Sequence, residues 1–326
     1  MSKIRHGGFL ALLGALVAGC AGAPDLAMFE TVEWHETPDA AVAIDALPLR
    51  SGDIIVTEVD TAMSFMMALM ADRYAPFVHA GVIVVDDGEP YVYDAFATVW
   101  PLLGRAPTRA MSGKIRRVPL ARYLKRPVVA AIARAPDATR AAAVADFARQ
   151  AYRDGLPFDS YFALETADAV YCTEFVAQAL SNAGVTLPGP ARRSRNRSLN
   201  VAFDWLGIET SGFWLAGDLI APLQPVVRFS RTLSPAAIDA RFALKAELHR
   251  RFTDEQALGN VFRWTGTGPR IRDHIVALYD DAVALAAAGA PDSAITELVA
   301  EHLGPGPEPT ARLAERATSA PTPSPR

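Results

Sequence analysis

The chain has 326 residues, of which 51% are apolar and 21% charged, ample material for at least one sizeable core. Its formal net charge of −4 gives no footing for a nucleic-acid surface, and no internal repeat is visible.

The first element is a targeting segment. Lys3, Arg5 and His6 precede an apolar run from Phe9 to Ala18, and ten residues are too few to span a bilayer. Residues 1–19 are therefore predicted to be a signal peptide. It ends in Leu16-Val17-Ala18-Gly19-Cys20, which resembles the cleavage box of bacterial lipoproteins, where the cysteine becomes the lipid-modified first residue. An ordinary secretory site with an incidental cysteine is the alternative. Ala21, in place of Asp, is similar to lipoproteins sorted to an outer membrane. The chain has only two cysteines, so an acylated Cys20 leaves Cys172 unpaired in an exported protein.

Residues 20–46, with Pro24 and Pro38, read as a tether. The folded part begins at Leu47, where a turn through Gly52 and Asp53 feeds the strand Ile54 to Glu58; Asp53 reads as a turn or cap residue before a site residue. Ala62 to Ala71 is helical and carries Met63, Met66, Met67 and Met70, either gap-filling core or a flexible acyl-binding wall.

Phe77 to Val85 reads as a strand, Asp86 to Glu89 as a hairpin turn, and Pro90 to Phe96 as the returning strand. His79 sits in a run that is apolar on both faces, so it is a satisfied core histidine or a site residue. With Asp87-Gly88 as the two-residue turn, 85 opposes 90, 81 opposes 94 and 79 opposes 96. His79 and Asp94 then share one face as diagonal neighbours. A carboxylate beside an imidazole fixes its tautomer and stabilises its cation. That face is expected to be the one against which the Cys172 helix packs.

Leu102 to Ile115 is a basic loop, and Ile115 to Val118 and Val128 to Ile132 read as further strands. Ala138 to Tyr152 is an amphipathic helix, followed by an aromatic-rich turn from Asp154 to Tyr161. Tyr171 to Leu180 then reads as a helix with Cys172 in its first turn, stopped by Asn182-Ala183-Gly184. A thiol there meets unpaired N–H groups and the positive end of the helix dipole, which favour thiolate; a small buried hydrophobe is the plainer reading. Arg192, Arg193, Arg195 and Arg197 lie in a polar loop, solvated or facing an anionic headgroup. Gly217 to Phe229 is strand-like. Beyond it, Pro235 to Phe252, Ile271 to Ala288 and Asp292 to Leu303 read as helices, with Ser234 and Asp292 as caps. His249, His274 and His302 lack metal-ligand spacing, and the proline-rich stretch 304–326 reads as disordered.

Three pieces coincide in order: Gly52-Asp53-Ile54-Ile55; Val78-His79-Ala80-Gly81-Val82 with Tyr93-Asp94-Ala95; and Phe158-Asp159 with Tyr171-Cys172-Thr173-Glu174-Phe175-Val176. This set resembles the circularly permuted papain-like amidases of the NlpC superfamily, in particular the YiiX/YaeF-like group, over roughly residues 47 to 230. The resemblance implies an α+β fold, an antiparallel sheet packed on the nucleophile helix; the C-terminal helices lie outside it and read as an appendage. Domains follow as signal 1–19, tether 20–46, catalytic domain 47–232, appendage 233–303 and tail 304–326. It also implies Cys172 as nucleophile, His79 as base and Asp94 as orienting acid. Tyr171 and Glu174 would line the pocket, or pack and cap. The chain departs from the family pattern in having Asp94 for a common Glu, Thr173 for a common Ser, and Val78 for a small polar residue.

The implied activity is that of a lipid-anchored cysteine hydrolase of the bacterial envelope, cleaving an amide in a cell-wall peptide or aminoacyl compound. An acyl-lipid hydrolase or acyltransferase on the same triad is the first alternative, and a binding lipoprotein without turnover the second. No cofactor, metal or nucleic acid is expected, the acylated Cys20 is the expected membrane contact, and the oligomeric state stays open. Pocket shape separates the two enzymatic readings: a long apolar space suits a lipid, a short polar cleft a peptide.

Overall fold

The computed structural model describes residues 31–33, 47–59, 61–97, 113–164, 166, 168–206, 208, 210–230, 233–253, 261–265 and 268–304. The signal with Cys20, most of the tether, most of the basic loop and residues 305–326 lie outside the described residues.

The elements in chain order are β1 (Thr31–Glu33), β2 (Asp53–Glu58), α1 (Ala62–Ala68), β3 (His79–Asp86), β4 (Glu89–Ala97), β5 (Gly113–Pro119), α2 (Leu120–Tyr123) and β6 (Val129–Arg134). Then come α3 (Ala138–Arg153), α4 (Cys172–Asn182), β7 (Ala191–Arg192), α5 (Arg197–Leu206), β8 (Gly212–Phe213), α6 (Ala216–Ile220) and β9 (Gln224–Ser230). The appendage holds α7 (Pro235–Thr253), the hairpin β10 (Phe262–Thr265) and β11 (Gly268–Ile271), α8 (Asp273–Ala287) and α9 (Asp292–Leu303).

Seven strands form one sheet in the order β1-β9-β6-β2-β3-β4-β5, antiparallel throughout except that β1 runs parallel to β9. The hairpin between β3 and β4 has the register expected from its turn: Val85 pairs with Pro90 and Val82 with Tyr93. Asp87 and Gly88 both take positive φ, 53° and 82°, the backbone of a tight primed turn whose twist matches the flanking strands.

Side chains alternate across the sheet, and both faces are covered. Ile54, Val56, Ala80, Val82, Tyr93 and Ala95 face the main core with Phe175, Val176 and Leu180 of α4. Ile55, Ile83, Val92 and Ile132 face the other way, under Leu120, Tyr123 and Leu124. Gly52, at φ +89°, enters β2 so close to α3 that a Cβ there would lie 2.1 Å from the Ala141 carbonyl oxygen. Asp53 then serves the frame as expected. It is fully buried, accepts two hydrogen bonds of 2.8 Å from Arg134 and one of 2.9 Å from the Arg50 N–H.

Several elements differ from the sequence reading. The tether contains β1, three residues held by pairing with β9. Gly217 to Phe229 is not one strand: Leu219 and Ile220 are buried in α6, and the strand starts at Gln224. Short apolar runs read alike in either conformation. The arginine loop pairs Ala191–Arg192 with Gly212–Phe213 and begins α5 at Arg197. Within it Arg193 is committed to the Asn200 and Ile208 carbonyls and to Asp204. A hairpin, Phe262–Thr265 with Gly268–Ile271, precedes α8. Ser234 does cap α7, accepting from the Ala237 N–H at 3.3 Å, whereas Asp292 lies inside α9 with Pro291 at the cap position.

The appendage has its own core, in which Leu244, Leu248 and Phe252 of α7 meet Ile275 and Leu278 of α8. Phe65 and Leu69, from α1 and the residue that ends it, are buried in that core as well. Met70 belongs to the main core. The methionine stretch thus bridges two cores. Among the described residues no helix is long and apolar enough to cross a membrane.

Candidate active site

Cys172 opens α4, a helix built by its apolar stripe and stopped where Gly184 takes φ +72°. The start is pinned from two sides. Tyr171 sits at the cap position, and its hydroxyl accepts from the Trp214 N–H at 3.0 Å. The Glu174 side chain turns back to the Tyr171 N–H at 3.4 Å and accepts from Gln178 at 3.2 Å. Both residues are buried, so the contacts they make are packing and capping ones. Asp159, also buried, gathers the preceding turn by accepting from the Tyr161 and Ala163 N–H groups at 2.8 and 2.6 Å.

His79 begins β3, and its Nε2 lies 2.7 Å from Asp94 Oδ2. Their closeness rests on Gly81, between them on the same face. A Cβ there would lie 2.7 Å from Val92 Cγ1, 3.0 Å from the Tyr93 carbonyl oxygen and 3.3 Å from Asp94 Cβ. Only a residue without a side chain lets the two strands close enough for the shorter Asp to reach the ring.

The face itself departs from expectation. His79 and Asp94 share a face as the register requires, but it is the Ile55, Ile83 and Val92 face, opposite the one packed by the body of α4. The helix meets His79 with its first residue instead. It overhangs the start of β3, placing Cys172 Sγ 3.9 Å from the Val78 carbonyl oxygen. Cys172 is a free thiol, 3% exposed, beside the imidazole. With Nε2 occupied by Asp94, Nδ1 is the ring nitrogen left to the thiol.

Electrostatics couple all three groups. Burial alone would lower the His79 pKa. The Cys172 charge, the hydrogen bond to Asp94 and that to Cys172 outweigh it and push the value up to about 10. Burial likewise tends to raise Asp94, yet hydrogen bonds from His79 and Arg116 hold it below the usual carboxylate range.

Arg116 is the participant that sequence reading missed. It is the direct cross-strand partner of Asp94, and donates from Nε to Oδ1 at 2.7 Å and from a terminal nitrogen to Oδ2 at 2.9 Å. Its guanidinium also lies 3.5 Å from the Phe96 ring centroid. Asp94, itself fully buried, therefore bridges His79 and Arg116, with the His79 ring stacked on Tyr123 at 6.3 Å and edge-on to Phe96 at 6.4 Å. The β4–β5 register that pairs Arg116 with Asp94 is not set by a short turn, since β4 ends at Ala97 and β5 begins at Gly113.

A cavity of about 710 Å³ opens beside Cys172 and His79, within the size range of small-molecule sites. Val59, Met67, Val78, Phe96 and Val118 give it a mainly apolar wall, with Arg116, Arg122 and Arg126 also on its lining. A second hollow, of about 40 Å³, lies on the other side of Cys172 next to Tyr171 and Thr173. Among the described residues, no group of three His, Cys, Asp or Glu side chains stands together as a metal-ligand set.

The sequence model of a family described as permuted papain-like amidase enzyme, YaeF/YiiX, C92 family, matches residues 48–194. This part of the chain is a permuted papain-like amidase domain. It is the domain of an enzyme class, the papain-like amidases and peptidases, in an α+β fold. The match takes in Cys172, His79, Asp94 and Arg116, and stops short of β9 and the appendage. Among solved structures, the metalloprotein YiiX from Escherichia coli O157:H7 is similar at 18% identity, covering 55% of this chain and 96% of that one, with a TM-score of 0.43. No curated protein sequence matches the chain.

Proposed function

We propose that the permuted amidase domain cleaves an amide bond through Cys172, His79 and Asp94. The observation that carries this reading is the imidazole of His79 held between a free thiol and a buried carboxylate at the wall of a substrate-sized cavity. The Cys172 sulfur attacks the carbonyl carbon, and the oxyanion meets the Cys172 backbone N–H, one of the first-turn groups that a helix leaves unpaired. His79, protonated by the thiol, passes that proton to the departing amine as the C–N bond breaks. Water then attacks the thioester, giving its proton back through His79 and freeing the acid. Asp94 keeps the ring oriented and its cation stabilised, and Arg116 holds Asp94 ionised.

The substrate is an amide of a cell-wall peptide or an aminoacyl compound. A second reading, an acyl-lipid hydrolase or acyltransferase on the same three residues, is favoured by the apolar wall and the 710 Å³ volume. Anchoring through Cys20 to the outer membrane, facing the periplasm, belongs to the same proposal and rests on the sequence from Lys3 to Ala21. Cys20→Ser is expected to shift the protein from the membrane to the soluble fraction.

The decisive experiment pairs thiol labelling with turnover. Iodoacetamide is expected to modify Cys172 faster than a free model thiol at neutral pH, and His79→Ala to slow both labelling and hydrolysis, the latter by about 10²–10⁴-fold. A peptide amide and a phospholipid assayed side by side, with Cys172→Ala as control, separate the two substrate readings. An inert Cys172 and no turnover of either would leave the binding lipoprotein as the better account.

A further inference from the structure

The chain carries a net charge of −4, yet among the described residues three arginines and His79 line the cavity and no carboxylate does. Arg116 is spoken for by Asp94. Arg122 and Arg126 are not: both are exposed, and no carboxylate pairs with either among the described residues. They stand four residues apart, on α2 and the turn that follows it, where the Arg126 N–H returns to the Tyr123 carbonyl at 3.4 Å. Both line the same cavity. Tyr123, between them, is buried and stacks on His79, which ties this turn to the catalytic ring. Arg126 lies 5.6 Å from the Phe96 ring that Arg116 also covers.

An exposed guanidinium pair at the edge of an apolar cavity is suited to one kind of ligand. The apolar wall takes a hydrocarbon arm, worth about 0.8 kcal/mol per buried methylene. The planar forks take an oxyanion, since guanidinium matches carboxylate and phosphate geometry. We infer that the substrate is an anionic amphiphile, its hydrocarbon arm in the cavity and its carboxylate or phosphate on Arg122 and Arg126. The inference rests on the catalytic reading of Cys172 and sides with the acyl-bearing substrates of the second reading, and it sets Arg122 and Arg126 as substrate-selecting residues.

The test measures how well decanoate, decyl phosphate, decanamide and inorganic phosphate, below any micelle threshold, protect Cys172 from iodoacetamide. The readout is the ratio of protection constants, anion against neutral amide, within each protein. In the native protein an anionic amphiphile is expected to protect about tenfold better than decanamide, the scale of one charge-assisted contact. Arg122→Gln with Arg126→Gln should bring that ratio close to one, and the Lys versions should restore part of it. Whichever of decanoate and decyl phosphate protects more identifies the oxyanion.

Equal protection by decanoate, decyl phosphate and decanamide overturns the inference, as does no protection by any of them. So does an anion preference that persists in the double Gln variant, which would place the oxyanion on His79. Protection by inorganic phosphate equal to that by decyl phosphate would show that the hydrocarbon arm contributes nothing. If instead Cys172 labels no faster than a model thiol and His79→Ala changes nothing, the catalytic reading itself has failed, separately from the arginines.

Discussion

His79 carries more than one duty, and its titration exposes them. Its pKa is held near 10, against about 6.5 in an unfolded chain, so the fold favours the cation. The stability this contributes is fully present below pH 6.5 and is lost as pH rises through about 10. The His79 ring protons are expected to show no titration step between pH 5 and 8 in an NMR series. Cys172→Ala and Asp94→Asn should each bring the midpoint down, since both residues raise it. A native midpoint close to 6.5 would contradict the coupling of thiol and imidazole. Gly81 gives a second handle. Gly81→Ala puts a methyl 2.7 Å from Val92 Cγ1 and 3.0 Å from the Tyr93 backbone. It should cost about 1–3 kcal/mol in urea unfolding and slow Cys172 labelling by separating Asp94 from the ring.

At the scale of elements, α1 is the piece on which two others depend. Ser64 and Met67 face the cavity, while Phe65 is buried in the appendage core. A buried ionic knot fastens the junction. Glu58, at the end of β2 and fully buried, pairs with Lys245 and lies 3.4 Å from Arg241 and from the Ser64 hydroxyl. Glu58→Gln removes the carboxylate that both side chains approach and is expected to cost about 3–5 kcal/mol by chemical denaturation. A loss under about 1 kcal/mol would mean that the knot is already solvated. The elements most legible in the sequence were those defined by neighbouring residues. The Asp87-Gly88 turn set the β3–β4 register, and Cys172 to Gly184 carried both start and stop signals. Arg116 was hidden because Lys114, Arg116 and the alternation of β5 look like an ordinary solvated edge; only pairing with β4 gives Arg116 a buried partner. The face that holds His79 was misjudged for a related reason. Period-two alternation says which residues share a face, and a helix that meets the strand end-on escapes it.

At the scale of the whole molecule, the part that matches the permuted amidase family, residues 48–194, has its cavity wall supported from behind by sequence-distant helices. Removing residues 234–326 would bare Phe65 and Leu69, both buried in the appendage core. That truncation is expected to aggregate or to bind a hydrophobic dye, and to lose the rapid labelling of Cys172. A soluble, fully reactive truncation would show the appendage to be an independent module. At the opposite edge of the sheet, β1 fixes where the chain leaves the domain. Thr31 lies 31 − 20 = 11 residues beyond Cys20. A fully stretched chain spans about 3.3–3.6 Å per residue, so an acyl group on Cys20 would hold that edge of the sheet within about 40 Å of the bilayer. The cavity, four strands further along the sheet, would then have a working height set by that reach plus the breadth of the sheet between β1 and β3.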